Sequence, residues 1–173
     1  MRTMGQIAIL AAAAVLTAGH PKTVKPASAP AGASAMAQSH TVSGSGGSYG
    51  MILGIDQTAY PASAAAATKP YIHAVLSVFN HTGAPVTYTG GGQQYEWQVA
   101  DASGNIVWDY AKGRMFPMFV MKRTLTETGL TYSYDVPLQN QDGTPLAPGR
   151  YTLRGRLPNT LDLAAEIGFT VTR

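Results

Sequence analysis

The sequence predicts an all-β protein, an antiparallel β-sandwich of about seven to nine short strands in one domain over residues 49–173. Three observations predict it. From Tyr49 onward the apolar residues recur with a period of two rather than 3.6. Clusters of Gly, Pro, Asn and Asp punctuate the alternating runs at short intervals. The one helical candidate in this region, Pro61–Lys69, is Ala-rich, but its flanks read as a loop.

Ahead of the domain, residues 1–19 read as a secretory signal. Arg2 supplies the positive start, and Ile7 to Ala18 form a 12-residue apolar run. A bilayer crossing needs about 20 such residues, so the run suits a leader better than an anchor. Thr17-Ala18-Gly19 sits at the usual cleavage distance. Ala27-Ser28-Ala29 and Ala35-Met36-Ala37 fit the small-x-small rule better, which extends the possible cut to residue 37. Residues 20–48 are rich in Ala, Pro, Ser, Gly and Thr and nearly lack large apolar side chains. Such a segment cannot offset the entropy of ordering, and it reads as a disordered linker.

The strands follow in order. Ile72, Ala74, Leu76 and Val78 make one apolar face. Asn80-His81-Thr82-Gly83 marks a turn before Pro85 and a short Val86–Thr89 strand, which ends at Gly90-Gly91-Gly92. Tyr95, Trp97 and Val99 alternate with Gln94, Glu96 and Gln98. Asp101 to Asn105 has the composition of a hairpin turn, with Gly104 free to take positive φ. Leu130, Tyr132, Tyr134 and Val136 alternate with polar residues, as do Tyr151, Leu153, Gly155 and Leu157, and again Ala165, Ile167, Phe169 and Val171. Each set fits a half-buried strand with one solvent face. Trp97, Trp108 and Tyr151 are the expected structural core residues.

Composition excludes much chemistry. With no Cys, the chain has no disulfide, zinc–thiolate site, iron–sulfur cluster, cysteine nucleophile or lipoprotein acylation site. Three of the 12 Lys and Arg (Arg2, Lys22 and Lys25) lie in the front segment, so the domain carries 9 basic against 9 acidic residues. A formally neutral body has no excess basic charge for a phosphate backbone, and nucleic acid is not an expected partner. The pattern offers no membrane contact beyond the leader.

An ordered series of motifs then points to a family. Leu76-Ser77-Val78-Phe79-Asn80-His81-Thr82 is a strand ending in an Asn turn. Gly92-Gln93-Gln94-Tyr95-Glu96-Trp97 follows, then Gly104-Asn105-Ile106-Val107-Trp108 and Gly113-Arg114-Met115-Phe116. Last come Asp142-Gly143 and Pro148-Gly149-Arg150-Tyr151. Residues 72–157 resemble the BsuPI family of intracellular proteinase inhibitors through this series. The chain departs from the family pattern at Leu125 to Gly129, which lacks the usual Pro, at Val136, where an aromatic is frequent, and in its leader. The resemblance implies an immunoglobulin-like sandwich that binds a serine proteinase.

No catalytic, cofactor or metal site is expected. His20 and His40 lie in the front segment. His73 and His81 have no G-x-S-x-G or comparable nucleophile motif to serve. Gly90-Gly91-Gly92 lacks the Lys and helix of a phosphate loop. Met115, Met118 and Met121 are soft potential ligands, but residues three apart on a strand point to opposite faces. Met115 to Met121 is a seven-residue run without charge, flanked by Lys112, Arg114, Lys122 and Arg123. Packing into the core is its ordinary fate; exposed, it would mark a partner site. Arg150, Arg154 and Arg156 share a strand face that keeps the strand soluble or steers an acidic partner.

The expected function is that of an exported, periplasmic or extracellular, monomeric protein-binding domain that inhibits a serine proteinase. Two loops are the candidate contacts: Met115, Phe116, Met118 and Phe119 in one, Gln139, Asn140, Gln141 and Asp142 in the other. The alternative is a non-catalytic structural or adhesive module of a bacterial envelope.

Overall fold

The computed structural model describes residues 37–43, 48–62, 70–158, 161 and 163–173. Within them the chain forms β1 (Ala37–Ser43), β2 (Tyr49–Ile55), β3 (Ala59–Pro61), β4 (Tyr71–Asn80), β5 (Val86–Gly90) and β6 (Glu96–Asp101). There follow β7 (Ile106–Asp109), β8 (Met121–Leu125), β9 (Leu130–Pro137), β10 (Gly149–Leu157) and β11 (Leu163–Thr172). One sheet has the order β1-β2-β4-β9, the second β3-β11-β10-β6-β7, and β5 and β8 pair as a separate ribbon. The pairings are antiparallel except for β3, which runs parallel to β11. The fold is an all-β sandwich.

Alternation explains which face of each strand is inward. Ile72, Ala74, Leu76 and Val78 of β4 are fully buried, as are Met51, Leu53 and Ile55 of β2. From the second sheet, Trp97, Val99, Leu153 and Leu157 are equally buried. The layers touch at Gly155, where an added Cβ would lie 2.9 Å from Leu76 Cδ1 and 3.2 Å from the Trp97 ring. The missing side chain on β10 thus makes room for two large ones. Burying an indole contributes a few kcal/mol, about 1.5–3 for side chains of this kind. Trp97 Nε1, however, is buried with no hydrogen-bond partner among the described residues, which offsets part of that gain.

The turns are built as their composition suggests. The Asp101 carboxylate accepts the N–H groups of Ser103 and Asn105 at 2.9 Å each and closes the β6–β7 hairpin, with Gly104 at φ 84°. These bonds to Asn105, first from its side chain and then from its backbone, hold the Asp101 pKa below its ordinary value. The Tyr151 hydroxyl donates to the Ala147 carbonyl at 2.8 Å. Its ring stacks on Phe169, and Tyr151 is half-buried at the rim of the core that Trp97 and Trp108 occupy.

Two expectations change, and others fall outside the described residues. Ala37–Ser43, read as linker, pairs with β2 from Ala37↔Ile55 to Ser43↔Tyr49 and so extends the first sheet. Composition hides this strand because the backbone bonds of β2 recruit it. The signal segment and the rest of the linker, apart from Ser48, lie outside the described residues, as do residues 63–69 of the Ala-rich stretch. The described strands number eleven rather than seven to nine: β1 lies in the stretch read as linker, β3 is only three residues long, and β8 buries only Leu125.

Candidate functional site

The chain leaves β7 at Asp109 and re-enters a strand at Met121. Asp109 Oδ1 accepts the Ala111 N–H at 2.7 Å, and Arg114 N–H bonds to the Ala111 carbonyl at 3.1 Å, with Gly113 at φ 77°. After that turn, Arg114 to Val120 contain neither turn nor bend. Pro117 lies mid-way, fixes its own φ and keeps Phe116 in extended geometry.

An aromatic cluster seats the start of this segment. Tyr110 lies 5.3 Å from Tyr95 and 5.1 Å from Tyr134, and Tyr95 lies 5.1 Å from Tyr132. Tyr95 precedes β6 and Tyr110 follows β7 of one sheet, while Tyr132 and Tyr134 lie on β9 of the other, so the cluster bridges the two layers. The Tyr95 hydroxyl pKa is pushed up to about 12, first by burial and then by its hydrogen bond with Tyr110. Arg114 lays its guanidinium 4.1 Å over the Tyr110 ring and donates to the Tyr134 hydroxyl at 2.9 Å. Phe116 packs 6.0 Å from Tyr110. Such a cation–ring contact is worth about 0.5–1 kcal/mol at an exposed site, and each aromatic pair about as much.

The glycine run braces the far side. A Cβ on Gly92 would lie 2.5 Å from the Pro117 carbonyl oxygen, so only glycine lets the two backbones meet. Gly91 approaches the Phe119 carbonyl, and Gly90 pairs with Met121 in the β5–β8 ribbon. Between these supports the side chains point outward: Met115 is 99% exposed, Met118 105%, Val120 78% and Phe119 44%. The expectation that this uncharged run packs into the core is therefore overturned. Arg114 and Phe116 hold it against the aromatic cluster from outside, and the core is already filled by β-strand side chains.

The second candidate loop is differently made. Asn140 N–H bonds to the Thr144 carbonyl at 2.7 Å, and Asp142 Oδ1 accepts from the Thr144 N–H and hydroxyl at 2.9 and 2.6 Å. These Thr144 bonds, the hydroxyl's first, lower the Asp142 pKa. Gln141 donates its N–H to the Val107 carbonyl and accepts the Asp109 N–H on its side chain, both at 2.8 Å. Gln139 forms a bridge with Pro145. The loop continues the hydrogen bonding past β7 and covers that sheet edge. Gln139, Asn140, Gln141 and Asp142 thus lie at one place, but Gln139, Asn140 and Asp142 are engaged by Thr144 and Pro145 of the same loop and Gln141 by β7.

The remaining candidates are accounted for locally. His73 Nδ1 lies 2.8 Å from Asp135 Oδ1 across the β4–β9 pair, and His81 stacks on Phe79. Arg154 pairs with Glu166, and Arg156 lies 3.8 Å from Glu96. Among the described residues no group of three or more His, Asp or Glu could hold a metal ion, and no helix is long and apolar enough to cross a membrane. Tyr110, Tyr134, Arg114 and Gly92, the supports of the exposed loop, were not foreseen as a unit. In sequence Gly92 and Arg114 fall in separate motifs and Tyr134 in an alternating run, with nothing that joins them.

Two comparisons bear on this arrangement. The profile of the BsuPI family, described as intracellular proteinase inhibitor, matches residues 61–160, more than half of the 173-residue chain and including the whole exposed loop with its supports. No curated protein matches the chain.

Proposed function

The chain belongs to the BsuPI family of intracellular proteinase inhibitors, and from that premise we propose that it is an exported inhibitor of serine proteinases whose β7–β8 loop occupies the substrate cleft. One observation carries the reading. Met115 and Met118 are fully exposed on an unbent segment whose neighbours Arg114, Phe116 and Pro117 are all seated. A proteinase cleft binds extended chain, and burying one methionine side chain there contributes about 1.5–3 kcal/mol. Because the loop is ordered beforehand, less of that gain is lost; ordering a free side chain costs about 0.5–1.5 kcal/mol on binding.

The second loop serves the fold in this reading, since its polar groups are engaged within the molecule. Residues 1–19 read as a leader, which supports a setting in the periplasm or outside the cell. Inhibition by occupation requires no reacting group on the inhibitor.

The test replaces Met115, Met118 and Val120, the three most exposed side chains of the segment, together by Ser. The unmodified chain is expected to titrate a subtilisin-like proteinase stoichiometrically and to remain uncut. The variant is expected to melt at the same temperature and to lose inhibition. A folded variant that inhibits undiminished would remove the loop from the account.

A further inference from the structure

Within the exposed loop one side chain is set apart from the rest. Met118 projects entirely into solvent while the backbone on both sides of it is braced. Before it, the Pro117 carbonyl abuts Gly92 so closely that a Cβ there would lie 2.5 Å away. After it, the Phe119 carbonyl lies against Gly91, and two residues on Met121 pairs with Gly90. A free side chain on a fixed backbone is the arrangement that fills a pocket with least loss of freedom.

The neighbours are less suited. Met115 stands at the foot of the segment, between Arg114 and Phe116, both of which lie on Tyr110. An enzyme reaching over Met115 would meet the aromatic cluster. Phe116 turns inward, and the bond after it ends on a proline nitrogen, whose ring crowds the leaving-group side. Phe119 and Met121 are less than half exposed. Val120 is β-branched and adjoins the paired Met121, so an approaching cleft would collide with the ribbon.

We propose that Met118 is the specificity-determining residue of the inhibitor, the one that enters the proteinase's primary pocket, and that the target is a serine proteinase whose primary pocket is a deep apolar slot. This deepens the inhibitor reading and rests on it. An unbranched thioether chain fills such a slot and adapts to its shape. The chemistry excludes a pocket with a carboxylate at its base, because residues 115–121 carry no charge to meet one. Pro117 then occupies the position just before the pocket residue, where its rigid ring fixes the approach.

The experiment measures inhibition constants of the full chain against chymotrypsin and subtilisin, which have apolar primary pockets, and against trypsin, which has an acidic one. The unmodified chain is expected to inhibit the first two and spare trypsin. Met118→Ala is expected to weaken inhibition by about 100-fold, as for a central contact residue, and Met115→Ala by no more than about fivefold. Met118→Lys is expected to gain trypsin and lose chymotrypsin. Met118→Leu is expected to keep inhibition, and to keep it after hydrogen peroxide treatment. Peroxide transfers one oxygen to an exposed methionine sulfur, giving the polar sulfoxide and water, and is expected to disable the unmodified chain. All four variants are expected to melt unchanged, because the replaced side chains are exposed.

Undiminished inhibition by Met118→Ala would overturn the assignment of Met118 while leaving the inhibitor reading intact. Inhibition of trypsin alone by the unmodified chain would overturn the apolar-pocket assignment. Failure of the unmodified chain against all three enzymes would overturn the inhibitor reading and this inference with it.

Discussion

Among the described residues Asn80 is, tyrosine and tryptophan aside, the one buried polar residue, and its bonds explain its place. Its Nδ2 donates to the carbonyls of Ala84 and Leu125 at 2.7 and 3.1 Å, and its Oδ1 accepts from the Thr82 N–H and hydroxyl at 3.0 and 2.7 Å. One amide thereby closes the turn after β4 and ties it to the end of β8. Asn80→Ala is expected to leave these groups short of partners and to cost about 2–3 kcal/mol, read as a lowered midpoint in urea with unchanged slope. The Asn-His-Thr-Gly string announced a turn from sequence, but the bond to Leu125, 45 residues away, has no local signature. The indoles were easier to place. Trp97 and Trp108 sit on alternating strands, and burial follows from their size. Tyr151 shows the limit of that logic, since its hydroxyl needs the Ala147 carbonyl and keeps the residue at the rim.

At the scale of elements, alternation made β4, β6, β9, β10 and β11 legible because each has one face against the core. β8 escaped because Met121, Lys122 and Thr124 are exposed and only Leu125 is fully buried. The candidate loop was legible as a segment but not as a surface. An uncharged run of Met, Phe, Pro and Val has the composition of a core strand. Its exposure depends on Tyr110, Tyr134 and the glycines of the β5–β6 turn, which converge only in the folded chain. Gly92 gives a direct probe of that dependence. Gly92→Ala places a Cβ against the Pro117 carbonyl, so the loop must shift. Inhibition is expected to weaken by about tenfold through lost preorganisation, measured as a faster dissociation of the complex. An unchanged dissociation rate would mean that the brace does not matter to binding.

The domain after the front segment carries 9 basic against 9 acidic residues and folds as two layers, with five of its exposed large apolar side chains between Met115 and Met121. The layers are locked face to face at Gly155, Leu76 and Trp97, far less adaptable than a loop, and this rigidity is what allows a short segment to be held out into solvent. The sandwich was readable from period and turns because every strand needs the same core. The Met115–Phe119 loop was named from sequence as a candidate contact, but its exposure was not readable, because exposure is decided by which side chains the finished core leaves out. The most direct measurement of the central claim is hydrogen–deuterium exchange of the full chain, alone and bound to a proteinase with an apolar primary pocket. New protection is expected over residues 113–121 and the adjoining 90–95, with Gln139 to Asp142 unchanged. Protection gained at Gln139 to Asp142 or on the Arg150–Arg156 face, with residues 113–121 unaltered, would contradict it.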